Sequence, residues 1–244
     1  MVGLKRPAAP TITRAVERGL YIAASGMLAE LVRQDLIAND IANLSTPGYK
    51  PDRASQRSFA DVMLSNTRDG EAVGPLGLGS VIARRTTDFS PAPLRETGEP
   101  LDFAIEGEGF FAIRTPQGVR YTRNGQFQRA ADGTLVDGLG NAVLGKDGAP
   151  VRVGGDGRVD PRRLATVRLD RPRKLGDGYV AGAVAGNGGA VRAGALEASA
   201  TNPARAMVDM IASLRAYEAS QRVITTIDQT LERTATQVAA VPGQ

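Results

Sequence analysis

Glu106 and Glu108, two carboxylates one residue apart, are the first candidates for chemistry. On a strand they would point to the same side, because alternate residues share a face. Paired acids that cleave glycosidic bonds flank a cleft and normally come from separate segments, and no other acid is marked as a partner here. Gly107-Glu108-Gly109 begins like a dinucleotide-binding fingerprint, but the third glycine and the following crossover helix are missing. Asp-Gly pairs recur at Asp132, Asp137, Asp147 and Asp156. They lack the ligand spacing of a calcium loop, and hairpin turns account for them more simply. Tyr217-Glu218 sits in a helical pattern where packing and solvation explain it. These residues assemble no catalytic, cofactor-binding or metal set.

The absent residue types narrow the field further. The 244-residue chain has no Cys, His or Trp. A Ser-His-Asp triad, a thiol nucleophile and the usual zinc, haem and iron–sulfur sites are therefore excluded. Carboxylate, Lys, Tyr or Ser chemistry survives, and so does no chemistry at all. At 42% hydrophobic and 23% charged, the chain can bury a core. The expectation is a protein that is not an enzyme and takes no cofactor.

A pI near 9.7 raises nucleic acid as a partner. Of the 30 basic residues only Lys5, Lys50, Lys146 and Lys174 are lysines, and the cations are interleaved with 26 acids. Nucleic-acid binders concentrate charge and often add stacking aromatics, whereas aromatics are 5% here. A solvated Arg-rich surface is expected, with no nucleic-acid partner. No stretch reaches the roughly 18 apolar residues of a membrane span, so membrane insertion is not expected. Residues 1–18 carry Lys5, Arg6, Arg14 and Arg18 without the apolar core of a secretory signal.

The elements that must position these residues fall in three zones. From about Arg18 to Leu44 apolar residues recur at helical spacing: Leu20, Ala24, Met27, Leu31, Ala38 and Ile41. Leu28, Val32 and Leu36 form a second stripe, as in a helix packed on more than one side. Thr46-Pro47-Gly48-Tyr49 ends it. Asn202-Pro203 reads as an N-cap with Pro at the first helical position, and no Gly or Pro intervenes from Ala204 until Pro242. Met207, Met210, Leu214, Tyr217, Gln221, Ile224, Asp228, Leu231, Ala235 and Val238 alternate steps of three and four, the spacing of a coiled-coil seam. Between the helices, short apolar runs and frequent turn signals predict an antiparallel β meander. The Gly-rich stretches 66–79 and 182–194 read as loops or linkers.

The expected fold is α+β. Long, coiled-coil-like, assembly-forming terminal helices flank an antiparallel β-rich domain. The expected boundaries are 1–17 for a disordered extension, 18–50 for the first helix and its following motif, 51–80 for a linker, 81–195 for the β core and 196–244 for the last helix. Terminal helices with little core of their own would pair with each other or with neighbouring copies.

Four motifs in order carry a family resemblance. Gly19-Leu-Tyr-Ile-Ala-Ala-Ser-Gly-Met27 is followed by Ile37-Ala-Asn-Asp-Ile-Ala-Asn-Leu-Ser-Thr-Pro-Gly-Tyr-Lys50. Leu101-Asp-Phe-Ala-Ile-Glu-Gly-Glu-Gly-Phe-Phe111 with Tyr121-Thr-Arg-Asn-Gly125 comes next. Then come Gly194-Ala-Leu-Glu-Ala-Ser199, Asn202-Pro203, Met207-Val-Asp-Met-Ile211 and Arg215-Ala-Tyr-Glu218. From Gly19 onward the chain resembles the bacterial flagellar basal-body rod proteins, part of the rod and hook axial family. Asp40, Leu44-Ser45 and Ala198-Ser-Ala-Thr201 depart from the family pattern, and residues 1–15 match nothing in it. Val16 looks like the family's usual start.

The resemblance implies a structural subunit of the flagellar rod, a shaft that transmits torque. Its terminal helices would line a helical assembly. It would leave the cytoplasm through the flagellar type III export apparatus without a cleaved signal peptide, and would stand in the cell envelope. Its partners would be itself and other rod and hook axial proteins. Thr87-Asp-Phe-Ser-Pro91, Leu94, Thr97-Gly98, Val143-Leu-Gly145 and the modest length look closer to the proximal than to the distal member of the rod. The expected assembly interface is Leu20, Met27, Leu31, Asn39, Asn43, Gly48, Met207, Met210, Leu214, Tyr217, Ile224, Leu231 and Val238. Two rivals remain: a β-rich binding module with accessory helices, and a carboxylate hydrolase using Glu106 or Glu108.

Overall fold

The computed structural model describes residues 11–58, 61–65, 72–77 and 80–239. A first helix, α1 (Thr11–Ala42), is followed by β1 (Asp52–Ser58), β2 (Asp61–Ser65), β3 (Ala72–Gly77) and β4 (Ser80–Thr87). Next come β5 (Leu94–Glu96), β6 (Phe103–Glu106), β7 (Phe110–Thr115) and β8 (Gly118–Thr122). Three short strands, β9 (Gln128–Arg129), β10 (Leu135–Val136) and β11 (Ala142–Val143), precede a 3-10 turn at Pro161–Arg163. The chain then runs through β12 (Thr166–Gly176), β13 (Tyr179–Asn187), β14 (Ala190–Ala193) and β15 (Ala195–Glu197) into α2 (Pro203–Ala239). This is α+β with a β-rich centre between two long helices.

The chain divides into two compact units. The larger comprises Asn39–Arg53 and Thr87–Ala206. Its main sheet has strand order β12-β13-β8-β7-β11-β10-β9, with antiparallel pairings throughout. Alternation along β6 and β7 buries Phe103 and Ile105, then Phe111 and Ile113. With Phe127, Leu135, Val143 and Leu164 they form the principal core. Phe110, the neighbour of opposite parity, joins Leu169 and Val180 in a second cluster and meets Phe89 edge-on at 5.8 Å. Cover on both faces explains the unbroken run Phe110–Ile113, which a half-exposed strand would have interrupted with polar residues. Each fully buried aromatic or aliphatic side chain contributes roughly 1.5–3 kcal/mol of transfer free energy.

The Asp-Gly pairs are turns. Asp132, Asp147 and Asp156 each accept, through Oδ1, the backbone N–H two residues on, across a glycine at φ +83°, +73° and +73°. These hydrogen bonds hold the exposed Asp132 carboxyl below its usual range.

Two stretches expected to be loose are strands instead. Residues 51–80 hold β1, β2 and β3, with β2 pairing antiparallel to β3. Residues 182–194 hold the end of β13 and all of β14. β13 is half of a long hairpin with β12, paired from Gly176↔Tyr179 to Val167↔Asn187. Ala, Gly and Val suffice there because the second half of β13 is mostly exposed and the ladder's backbone hydrogen bonds, rather than core packing, define it.

The other unit comprises Met1–Ala38, Ala54–Thr86 and Met207–Gln244. Within it α1 and α2 run antiparallel. A Cβ on Gly19 would lie 3.2 Å from Ile227 Cδ1, and one on Gly26 would lie 3.6 Å from Ser220 Oγ. The Ser213 hydroxyl, wholly buried, donates to Glu30 Oε2 at 2.6 Å. Gly19, Ala23, Gly26 and Glu30 therefore form the contact line on α1, with steps of four, three and four. On α2, besides Ala206 and Asp209, the buried and half-buried positions among the described side chains are Met210, Ser213, Tyr217, Ser220, Ile224 and Ile227, and these six again alternate steps of three and four. The α2 cap is as the sequence suggested: Asn202 Oδ1 accepts from the Arg205 N–H at 3.1 Å, and Pro203 opens the helix.

Candidate assembly surface and the buried ion cluster

The helix seam is built largely on small residues of α1, with Ser213 and Ser220 opposite on α2, and several bulky residues lie outside it. Met207, Leu214 and Leu231, three of the expected seam positions, are exposed at 55%, 44% and 39%. The expected repeat shares Met210, Tyr217 and Ile224 with the observed line but placed Leu214, Gln221 and Asp228 where Ser213, Ser220 and Ile227 lie. Glycine, alanine and serine let two helices approach closely but score weakly in a hydrophobic pattern, and that masked the real contact line. Leu31 is exposed on α1, as are Tyr21, Leu28 and Val32. Leu20 and Met27 are half-buried, like Met210, Tyr217 and Ile224. The Val238 side chain lies outside the described residues. Each helix thus carries exposed large apolar side chains that no other described residue covers.

Asn39, Asn43 and Gly48, also expected at the interface, are used within the chain. Asn43 Nδ2 donates to Asn39 O at 2.9 Å, and Thr46 Oγ1 donates to Asn43 Oδ1 at 3.0 Å. These bonds finish the C-terminal turn of α1, where backbone carbonyls lack helical partners. The Tyr49 hydroxyl lies 2.7 Å from Asp40 Oδ1 and 2.9 Å from Asn39 Oδ1, and its single proton serves one of them at a time. Burial raises the Asp40 carboxyl above its usual range, opposed by the Tyr49 hydrogen bond and the charge of Lys174. The Lys174 ammonium sits 4.3 Å from the Tyr49 ring centroid and donates to Lys50 O at 2.9 Å.

Gly48 is buried at φ +67°. A Cβ there would fall 2.5 Å from the Arg123 carbonyl carbon. Only glycine satisfies both the left-handed backbone and the close approach. Its N–H donates to Glu197 O at 2.9 Å, and the Ala200 N–H donates to Tyr49 O at 3.0 Å. The segment leaving α1 therefore lies beside the segment entering α2.

Glu197 sits at the centre of this junction, 1% exposed. Lys50 Nζ donates to its Oε1 at 2.6 Å, and the Ala92 N–H donates to the same oxygen at 2.7 Å. Arg123 Nε donates to Oε2. The rest of the guanidinium is held by backbone: Nη1 donates to Gly109 O, and Nη2 donates to Gly107 O and Ile105 O. Lys50 has a further acceptor in Ser90 O at 2.6 Å. Burial pushes the Lys50 ammonium below its usual range, and the bond to Glu197 pulls the other way. One carboxylate faces two cations, and the excess positive charge is met by carbonyl dipoles.

This arrangement accounts for the Glu106–Gly109 motif without catalysis. Gly107 and Gly109, at φ +90° and +140°, turn their carbonyls toward Arg123. The Glu106 side chain is 54% exposed and 4.0 Å from Arg192, and Glu108 is exposed. Among the described residues no group of three or more acids could hold a metal ion, and no helix is long and apolar enough to cross a membrane. Sequence reasoning quoted Lys50, Arg123 and Glu197 within motifs but did not single out Arg123 or Glu197. The available signal was a lone acid between apolar neighbours in Ala195-Leu-Glu-Ala198, since a carboxylate in such a strand needs a buried partner.

Comparison with known proteins reaches the same segments. Residues 20–50 match the family described as flagella basal body rod protein, and residues 104–161 match the flagellar hook protein FlgE/F/G D1 domain. Residues 192–238 match the flagellar basal body rod FlgEFG protein C-terminal family. The flagellar basal-body rod protein FlgG of Bacillus subtilis is 31% identical over 258 positions, covering 88% of this chain and 97% of that protein. FlgG of Borreliella burgdorferi is 32% identical, covering 88% and 96%. FlgF of Caulobacter vibrioides is 29% identical over 231 positions, covering 86% and 93%. The three matches share the order of the motifs that meet around Glu197, and the chain belongs to the flagellar basal-body rod protein family.

Proposed function

We propose that this chain, a structural subunit of the flagellar rod, polymerises through α1 and α2 in a coiled-coil-like packing and transmits torque as part of a stiff shaft. The observation that carries this reading is the division of labour on the helices. On α1 the small residues Gly19, Ala23 and Gly26 face α2, while Tyr21, Leu28, Leu31, Met207, Leu214 and Leu231 stay exposed. Exposed large apolar side chains on long helices mark a surface to be covered by other subunits. Close side-chain packing along such helices resists sliding and twisting. The partners are further copies of the chain and other rod and hook axial proteins.

Within the rod, the proximal position suits this chain better than the distal one. The motif Thr87-Asp-Phe-Ser-Pro91 and the modest length support it. The alignment with B. subtilis FlgG spans 258 positions, more than the 244 residues present here, so that relative carries stretches this chain lacks. Delivery to the envelope is by the flagellar type III export apparatus, with no signal peptide cleaved.

Mass spectrometry of detergent-resistant basal bodies from the native cells tests the reading. The chain should be present at a few copies per motor, and inactivating the export apparatus should leave it inside the cell. A several-fold higher count would move it to the distal rod. Complete absence from basal bodies, with the chain free in the cytoplasm, would overturn the assignment.

A further inference from the structure

We infer that Glu197 is a positioning residue for assembly: its carboxylate fixes the segment leaving α1 against the segment entering α2, so that both helices start from one defined junction. This rests on the rod reading only for its assembly readout.

The argument begins with what the cluster does not supply. A buried ion pair is a weak source of net stability, because desolvating the charges offsets most of their attraction, and apolar residues of similar volume often do as well. A cluster of three charges at a site that Leu or Met could fill therefore contributes something besides stability. The geometry shows what. Glu197 Oε1 holds Lys50, which follows α1, and the Ala92 N–H. Oε2 holds Arg123, itself pinned by the carbonyls of Ile105, Gly107 and Gly109. The Glu197 carbonyl takes the Gly48 N–H. One residue thus joins four chain segments with directional bonds. An apolar replacement would pack there without specifying an angle or a register. Two backbone bonds, Gly48 to Glu197 and Ala200 to Tyr49, would remain as a hinge free to shear.

The absence of cysteine makes the test clean. Spin labels are placed at two exposed positions within this unit through Ser45→Cys and Ala204→Cys, and their distance distribution is recorded in the free chain. The unsubstituted junction should give one narrow distribution. Glu197→Gln keeps the volume and one acceptor but removes the charge, and should broaden the distribution. It should also lower the fraction incorporated into basal bodies by about 10-fold, the change that 1.4 kcal/mol produces, at a temperature where the β-rich unit is still folded. Leu135→Ala, in the core away from the cluster, is the control for simple destabilisation. At matched loss of Tm it should keep the narrow distribution and assemble. Should Glu197→Gln fail to fold, Lys50→Gln, which leaves Arg123 paired, takes its place with the same readouts. A narrow distribution in the Glu197 or Lys50 variant, or assembly falling only in step with Tm as in Leu135→Ala, would refute the inference. Absence of the unsubstituted chain from basal bodies would remove the rod reading but leave the label distances to decide the junction.

Discussion

Lys50 and Glu197 meet at 2.6 Å although 147 positions separate them, and neither side chain exposes more than 5% of its surface. Removing one partner of such a pair leaves the other charge buried. Lys50→Met should lower unfolding free energy by about 3 kcal/mol, the lower end of the range for broken buried pairs, because Arg123 still holds the carboxylate. Urea unfolding followed by tyrosine fluorescence measures it. A loss under 1 kcal/mol would show that water or a rearranged backbone replaces Lys50 readily.

Gly48 and Gly140 separate backbone strain from crowding. Both have positive φ, +67° and +83°, but a Cβ on Gly48 meets the Arg123 backbone at 2.5 Å whereas one on Gly140 meets nothing within 4 Å. Gly140→Ala should cost about 1 kcal/mol, the strain of a left-handed alanine. Gly48→Ala should cost more than about 3 kcal/mol, because backbone must move as well. Equal midpoints for the two variants would contradict the close approach.

Leu214→Asp and Leu231→Asp should leave the free chain folded, since both positions are exposed at 44% and 39%. Each should abolish motility and incorporation into basal bodies, because a carboxylate would be buried unpaired once another subunit covers it. Circular dichroism of the purified variants and swimming assays in cells relying on them check the two halves separately. Normal swimming in either variant would remove that residue from the assembly surface.

Asp88 gives a pH dependence. Its carboxyl is held below the usual range by hydrogen bonds from Ser90, aided by Arg53 at 3.5 Å. A depressed folded-state value means that the native state favours the ionised form. The contribution is complete above the unfolded carboxyl's pKa of about 3.9 and disappears as pH falls through the lower folded value. Because the group is 37% exposed, the effect is held under about 1 kcal/mol. The stability difference between the parent and Asp88→Ala should be constant from pH 5 to 7 and shrink as pH falls below the unfolded carboxyl's pKa of about 3.9. A difference that grows on acidification would reverse the sign of the argument.

The sequence announced the local elements better than the contacts between them. The α2 cap at Asn202-Pro203, the Asp-Gly turns and the alternation of Phe103, Ile105, Phe111 and Ile113 all rest on interactions within a few residues, so pattern reasoning reached them. β3 was read as a loop because its residues, Ala72-Val-Gly-Pro-Leu-Gly77, are mostly small or turn-forming, and the end of β13 because its residues are small and mostly exposed, and exposed ladders leave no hydrophobic period. On α1 the expected line lay one position from the observed one, and on α2 it agreed at Met210, Tyr217 and Ile224 but missed Ser213 and Ser220, because Gly19, Gly26, Ser213 and Ser220 carry little hydrophobic signal while the neighbouring Leu and Met residues carry much. Glu197 lay within a quoted motif, yet its role depends on Lys50 and Arg123, two positions that no local window joins to it.

The antiparallel course of α1 and α2 has an electrical consequence. Each helix carries a macrodipole equivalent to about half a charge at either end, and laid side by side in opposite senses the two largely cancel. In the proposed shaft, such pairs would add little axial field from their helices however long it grows. Its polarity, which end adds the next subunit and which face meets it, would then be written mainly in side chains and in the β-rich unit.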